Sequence, residues 1–276
     1  KPAHRAEAPT SAAIASMSTA AVAGLSTSQA AALSTAQLRA LSTAAIAAME
    51  TADLGALGSA QIRALTTAQL GAMATAQMDS LSTAATAALT TAQIANLTTA
   101  NLNAMDSAQF AALKSAQIKA LTTAQVAALE TADLAALGTA QIRAMGTAAI
   151  GALVTAEVAA LSSDQTAALT TAQLRALSTA TIAAMETADL AALGSAQIRA
   201  LTTAQLGALG TAQIASLSTA ATAALTTAQF TSLTSANLNA MGTAQFAALT
   251  SAQIKALSTA QVAALETADV AALGTS

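Results

Sequence analysis

No cysteine, tryptophan or tyrosine occurs in the 276-residue chain, and proline appears twice. Without cysteine there is neither a disulfide framework nor a thiolate zinc site, and the chain suits passage through an export channel unfolded. Aromatics are confined to Phe110, Phe230 and Phe246. Any interior must therefore be built from alanine, leucine, isoleucine and methionine, with little room for bulky groups. Charged residues make up 8% and the net charge is −3, which leaves no basic footprint for nucleic acid or an acidic membrane. The mean hydropathy is +0.57. Even so, no stretch of about 18 residues lacks Thr, Ser, Gln or a charge, so no membrane-spanning helix is expected. The one histidine, His4, stands in the polar opening KPAHRAEAPTS. That opening has no apolar h-region, so residues 1–9 read as a linker or chain edge and not as a secretory signal.

What is present is repetition. Residues 121–145, LTTAQVAALETADLAALGTAQIRAM, are one phrase with small edits. With Met17 at position 8, steps of eight reach Leu273 without insertion or deletion, giving 33 octads over residues 10–273. Position 8 is Leu or Met and position 2 is Thr or Ser in all 33 octads. Position 3 is Ala except at Ser28 and Asp164. Position 5 is apolar and larger than alanine except at Ala30, Thr86, Thr166 and Thr222. Position 4 is most often Gln, and position 7 stays small or is Asn. The consensus is (S/T/G)-T-A-Q-(I/L)-x-A-(L/M). A longer echo relates residues 34–139 to residues 170–275, which is the mark of block duplication. Recurrence alone is therefore weak evidence of function. The array shows no internal domain boundary, so residues 10–276 read as a single repeat domain. Its last residues, Gly274-Thr275-Ser276, stop inside an octad, as in a fragment of a longer protein.

A period of eight fits no continuous regular element. An α-helix turns 100° per residue, so eight residues overshoot two turns by about 80°, beyond what supercoiling absorbs. A strand would alternate with period two, and Ala and Gln are poor strand formers. The remaining solution is a helix that stops and restarts in every octad. In LTTAQV, Leu121 serves as N′, Thr122 as N-cap, Gln125 as N3 and Val126 as N4, which makes a capping box with a hydrophobic staple. Where position 1 is a weaker cap (Glu50, Ala74, Lys114, Glu130, Val154, Glu186, Glu266), the position-2 hydroxyl could cap instead, one residue later. Helices this short do not persist alone, since about 12–15 residues are needed. The fold class expected is therefore all-α, a solenoid of very short capped helices stabilised by neighbour interfaces. Alanines at positions 3 and 7 would allow close approach between turns. Arg39, Arg63, Lys119, Arg143, Arg175, Arg199 and Lys255 all fall at position 6. Their spacing fits about 3.5 octads per superhelical turn, although duplication explains the same spacing without geometry.

Reactive constellations are missing. Nucleophilic catalysis needs a base oriented on a nucleophile, and the array holds no His or Cys. Lys114, Lys119 and Lys255 read as solvated surface charges. The recurring ETAD pairs (Glu50/Asp53, Glu130/Asp133, Glu186/Asp189, Glu266/Asp269) could hold calcium with outside ligands. More simply, they place negative charge at a helix start, where the dipole favours it. Rows of Thr and Ser could order water on a flat face, but hydroxyls consumed as caps could not. Thr86, Thr166 and Thr222 place a hydroxyl where a core residue belongs and could bond back to a carbonyl. No P-loop, dinucleotide fingerprint or zinc spacing is present. No catalytic, cofactor-binding or metal-binding residue is assigned.

The octad LTTAQ(I/V)AAL resembles the Ala/Thr/Gln/Leu-rich octapeptide arrays of very large, adhesin-like bacterial secreted or surface proteins, over residues 10–273. The resemblance implies export, an extracellular or cell-surface location and a passive stalk role, and it carries over no site residue. LTTAQ is also similar to the helix starts of TAL-effector DNA-binding repeats, which are longer and depend on a basic surface that this chain lacks. The expected function is a non-enzymatic spacer or stalk within a larger protein. The expected partners are adjoining domains and, through self-association, further copies. A module binding peptide, glycan or lipid, and a filament subunit, are the alternatives.

Overall fold

The computed structural model describes residues 10–273. They form 33 α-helices, one per octad, from Ser11–Ala15 to Thr267–Ala272, and no strand occurs among the described residues. His4 and the supposed linker 1–9 lie outside them, as do residues 274–276.

The joints explain the period. Leu41 (φ −65°, ψ 143°) and Ser42 (φ −68°, ψ 160°) are both extended, and helix Thr43–Ala48 starts immediately afterwards. Two residues of extended backbone thus turn the chain between helices. No described residue has a positive φ, so the turn requires no glycine. The capping pattern is the one expected. Thr122 is the N-cap of helix Thr123–Val126, and its hydroxyl accepts the Gln125 N–H at 3.2 Å. The Gln125 side-chain oxygen accepts the Thr122 N–H at 2.9 Å in return.

At the weaker caps the structure corrects the expectation. The helix start does not slip to position 2: Glu50, Ala74, Lys114, Glu130, Val154, Glu186 and Glu266 all remain N-caps, without a side-chain cap bond. The position-4 side chain holds the register in part, since Gln77 still accepts the Ala74 N–H and Gln117 that of Lys114. Burial holds the rest. A one-residue slip would rotate the core side chains at positions 5 and 8 out of the interior, at about 1.5–3 kcal/mol for each.

The chain forms two compact units, one running through Leu137 and the other starting at Gly138. Within each, helices pack on helices three octads away, as Ser11–Ala15 does on Thr35–Ala40 and Ser163–Ala168 on Thr187–Ala192. Hydrogen bonds reach further. The Gln125 amide donates to the carbonyls of Ile94 and Leu97, 31 and 28 residues earlier. Helices three octads apart thus pack and helices four octads apart are tied by side chains, which brackets the 3.5 octads that the spacing of the position-6 cations had suggested. Each unit is therefore an α-helical solenoid.

Within an interior octad such as residues 42–49, positions 4, 5 and 8 (Ala45, Ile46, Met49) are buried and positions 1 to 3 are exposed. Alanine at position 3 therefore lies on the surface and does not serve close packing between turns. Turns approach where position 6 of one octad meets the position-7 carbonyl of the octad three further on. A Cβ on Gly55 would lie 2.9 Å from the Ser80 carbonyl, and one on Gly151 would lie 2.9 Å from that of Ala176. The expectation that bulky groups are excluded also needs correction, because Phe110, Phe230 and Phe246 are fully buried at position 5. Two of them have a compensating neighbour. Thr86 and Thr222 occupy position 5 in the helices packed on those of Phe110 and Phe246, so a small side chain stands three octads from a large one.

Candidate functional site

The most specific chemistry in the molecule is the buried row of position-4 glutamines. Gln69 is 2% exposed. Its oxygen accepts the Thr66 N–H at 2.8 Å, and its amide donates to the Leu38 and Leu41 carbonyls, both at 2.8 Å. One side chain thus satisfies an unpaired N–H at the start of its own helix and, four octads earlier, ties the Leu41 carbonyl and the Leu38 carbonyl, the latter already accepting the Leu41 N–H. Gln93, Gln109, Gln173, Gln205 and Gln229 repeat the arrangement. Sequence reasoning had assigned these residues only to the capping box. Both hydrogen-bonding halves of each amide are engaged within the chain, so the row holds the coil together and offers nothing to a ligand.

Four octads carry aspartate at this position. Asp53, Asp133, Asp189 and Asp269 stand in the first turn of their helices, as ETAD had suggested, and are 5% exposed or less. Asp189 accepts a bond from the Ser163 hydroxyl at 2.8 Å, while its second oxygen is buried without a partner, as is one oxygen of Asp53 and of Asp269. A carboxylate has no hydrogen to give the carbonyls that a glutamine amide would reach. Burial pushes Asp133 up to about 6, the charges of Glu130 and Asp106 push the same way, and a hydrogen bond from Ser107 partly opposes them. Burial likewise raises Glu157, against a bond from the Val154 backbone. Among the described residues no group of three or more His, Asp or Glu side chains is arranged to hold a metal ion.

On the outer surface, the position-6 cations are exposed. The Nε of Arg63 donates to the Ala88 carbonyl at 3.3 Å, and that of Arg143 to the Ala168 carbonyl at 3.4 Å, each in the octad three further on. Asn239 makes the equivalent bond to Ala264 at 2.8 Å. These side chains clasp the neighbouring turn. Arg39 and Arg63 stand on helices packed together, as do Arg175 and Arg199, so cations do stack on successive turns at these two places.

The hydroxyl rows separate by position. Position-1 hydroxyls cap, as at Ser34, Thr90 and Thr226. Position-2 threonines such as Thr123 are exposed first residues of their helices and do not cap. The assumption that both rows are consumed by capping is therefore corrected. Of the three core threonines, Thr86 and Thr222 bond back to the carbonyls of Ser82 and Ser218 at 3.1 and 3.0 Å, as expected, but the Thr166 hydroxyl is buried without a partner.

Short capped helices, two-residue extended joints and an internal glutamine row define an octapeptide-repeat α-solenoid. The ALTTAQ repeat family matches nine overlapping segments, which together cover residues 46–123, 126–179 and 182–275. The chain belongs to that family. No curated protein matches it significantly. No helix among the described residues is long and apolar enough to cross a membrane.

Proposed function

We propose that this is a structural, non-enzymatic repeat protein acting as a spacer within a larger secreted or cell-surface protein. The observation that carries the reading is the glutamine row. One set of bonds recurs from octad to octad, so octads can be added or removed without altering a unique site. The polar chemistry of the interior is directed at the chain's own backbone, and the adhesin-like resemblance of the octad supplies the secreted or surface setting.

The test is to delete 17 octads, residues 34–169, and compare both proteins by small-angle scattering. The spacer reading expects an unchanged cross-section and a length reduced in proportion to the octads removed. A compact particle, or a changed cross-section, overturns it.

A further inference from the structure

One interior octad of the second unit presents oxygen where its neighbours present an amide. Helix Thr187–Ala192 carries Asp189 at position 4, and that residue is 2% exposed. A glutamine at position 4 donates to the carbonyls 31 and 28 residues earlier, as Gln205 does to Leu174 and Leu177, both at 2.8 Å. For Asp189 those carbonyls belong to Val158 and Leu161. Val158 already accepts the Leu161 N–H, and nothing among the described residues donates to the Leu161 carbonyl. The Ser163 hydroxyl donates to one oxygen of Asp189 at 2.8 Å, which places the carboxylate beside residues 161–163. The other oxygen is buried and has no partner. Two acceptors without a donor are thus brought to one joint between turns. Glu186 stands at the N-cap of the same helix and makes no side-chain cap bond. Side chains at positions 1 and 4 are neighbours in this fold, since the Thr226 hydroxyl reaches the Gln229 oxygen at 3.1 Å. Two carboxylates this close repel, and burying one costs stability unless a positive charge offsets it.

We infer that Asp189, Glu186, the Ser163 hydroxyl and the Leu161 carbonyl bind one calcium ion between turns. The donor set is all oxygen, which selects a hard cation. Two carboxylates balance a divalent charge, whereas a monovalent ion leaves one of them uncompensated. Calcium accepts irregular shells of about six to eight oxygens, so water completes the set; magnesium demands a near-ideal octahedron, which a backbone carbonyl and a helix cap fixed by packing do not supply. Only two of the ligands are acidic, in keeping with the lack of any cluster of three such side chains among the described residues. The ion takes the place of the glutamine amide hydrogens. It draws the Asp189 carboxylate and the Leu161 carbonyl together and ties helix Thr187–Ala192 to the turn before it. The inference rests on these oxygens and not on the spacer role.

The test is calorimetric titration of the full chain with calcium chloride to about 1 mM, against a sodium chloride background. Asp189→Asn and Glu186→Gln are titrated beside it, with circular dichroism to verify folding. Asp189→Asn is expected to fold, because asparagine at position 4 can donate across the turn, as Asn237 does to the Leu209 carbonyl at 3.1 Å. The unsubstituted chain is expected to take up calcium, and Asp189→Asn to take up one ion fewer. Glu186→Gln, at an exposed position, is expected to weaken that site at least about tenfold. Calcium should also raise the melting temperature of the unsubstituted chain more than that of Asp189→Asn. A chain that takes up no calcium overturns the inference. So does a folded Asp189→Asn variant that takes up as many ions as the parent.

Discussion

The side-chain amide of Gln93 donates to the Leu65 carbonyl at 2.7 Å across 28 residues, while its oxygen accepts the Thr90 N–H at 2.7 Å. A local cap and a long-range tie are thus the same residue. A helix of five residues leaves most of its backbone groups without a partner inside it, and in this fold carbonyls at the helix ends of one turn meet the side-chain amides of the next. Cap and coil should therefore fail together.

Gln93→Ala removes the bonds to Ile62 and Leu65 and leaves the Thr90 N–H without its acceptor. At about 1 kcal/mol for each, it should cost about 2–4 kcal/mol in denaturant unfolding. Gln93→Glu keeps the acceptor, as Glu157 does toward Val154, and loses the donor. It should be destabilised at pH 7 and partly recover in acid, where a protonated carboxyl can donate. An alanine variant within about 0.5 kcal/mol of the parent would show that the tie contributes little.

Asp133 should make stability depend on pH in the opposite sense to an ordinary salt-bridged aspartate. Its folded pKa, about 6, lies above the ordinary aspartate value of 3.8. The unfolded state therefore binds fewer protons between these values, and the stabilising contribution, complete below about pH 4, is lost as the pH rises through about 6. Asp133→Asn removes the titration. It also supplies the amide that at Asn101 reaches the Leu70 and Met73 carbonyls at 3.3 and 3.0 Å. The variant should melt higher than the parent at pH 7, and the gap should narrow toward pH 4. A gap independent of pH would refute the titration.

The three core threonines should separate on replacement by valine. Thr166→Val removes a buried hydroxyl without a partner and should stabilise by about 1–2 kcal/mol. Thr222→Val should not, because its hydroxyl donates to the Ser218 carbonyl and accepts from the Gln245 amide at 3.2 Å. Equal melting shifts for the two variants would contradict this assignment.

Two glycines at position 6 should respond in opposite directions to alanine. Gly71→Ala meets nothing within 4 Å and should stabilise by about 0.4–1 kcal/mol, through the reduced entropy of the unfolded chain. Gly55→Ala drives a Cβ against the Ser80 carbonyl and should destabilise, because backbone must move to admit it. Paired thermal melts decide it; a stabilising Gly55→Ala would mean that the turns separate at little cost.

Much of this fold was legible in the sequence because much of it is local. The octad period excludes a continuous helix, and Thr122 with Gln125 identifies the cap and the restart. Leu or Met at position 8 and the apolar residues at position 5 name the core. The errors lie where a side chain meets something about 25–31 residues away. Capping alone suggested a slipped start at Ala74, whereas the burial of neighbouring turns fixes it. ETAD read locally as charge at a helix start, and that reading does not reveal that Asp53 and Asp189 are buried.

By itself, the sequence determined that this chain is a repeat of brief, individually unstable helices, because propensity, capping and hydrophobic period act within eight residues. Only the tertiary structure decided what closes the coil and which positions face solvent. It turned a capping glutamine into the tie between turns and put the position-3 alanines on the surface. The physical reason is that a backbone carbonyl carries no sequence signature. Which side chain will satisfy it is settled only when the superhelix brings octads three and four places apart into contact.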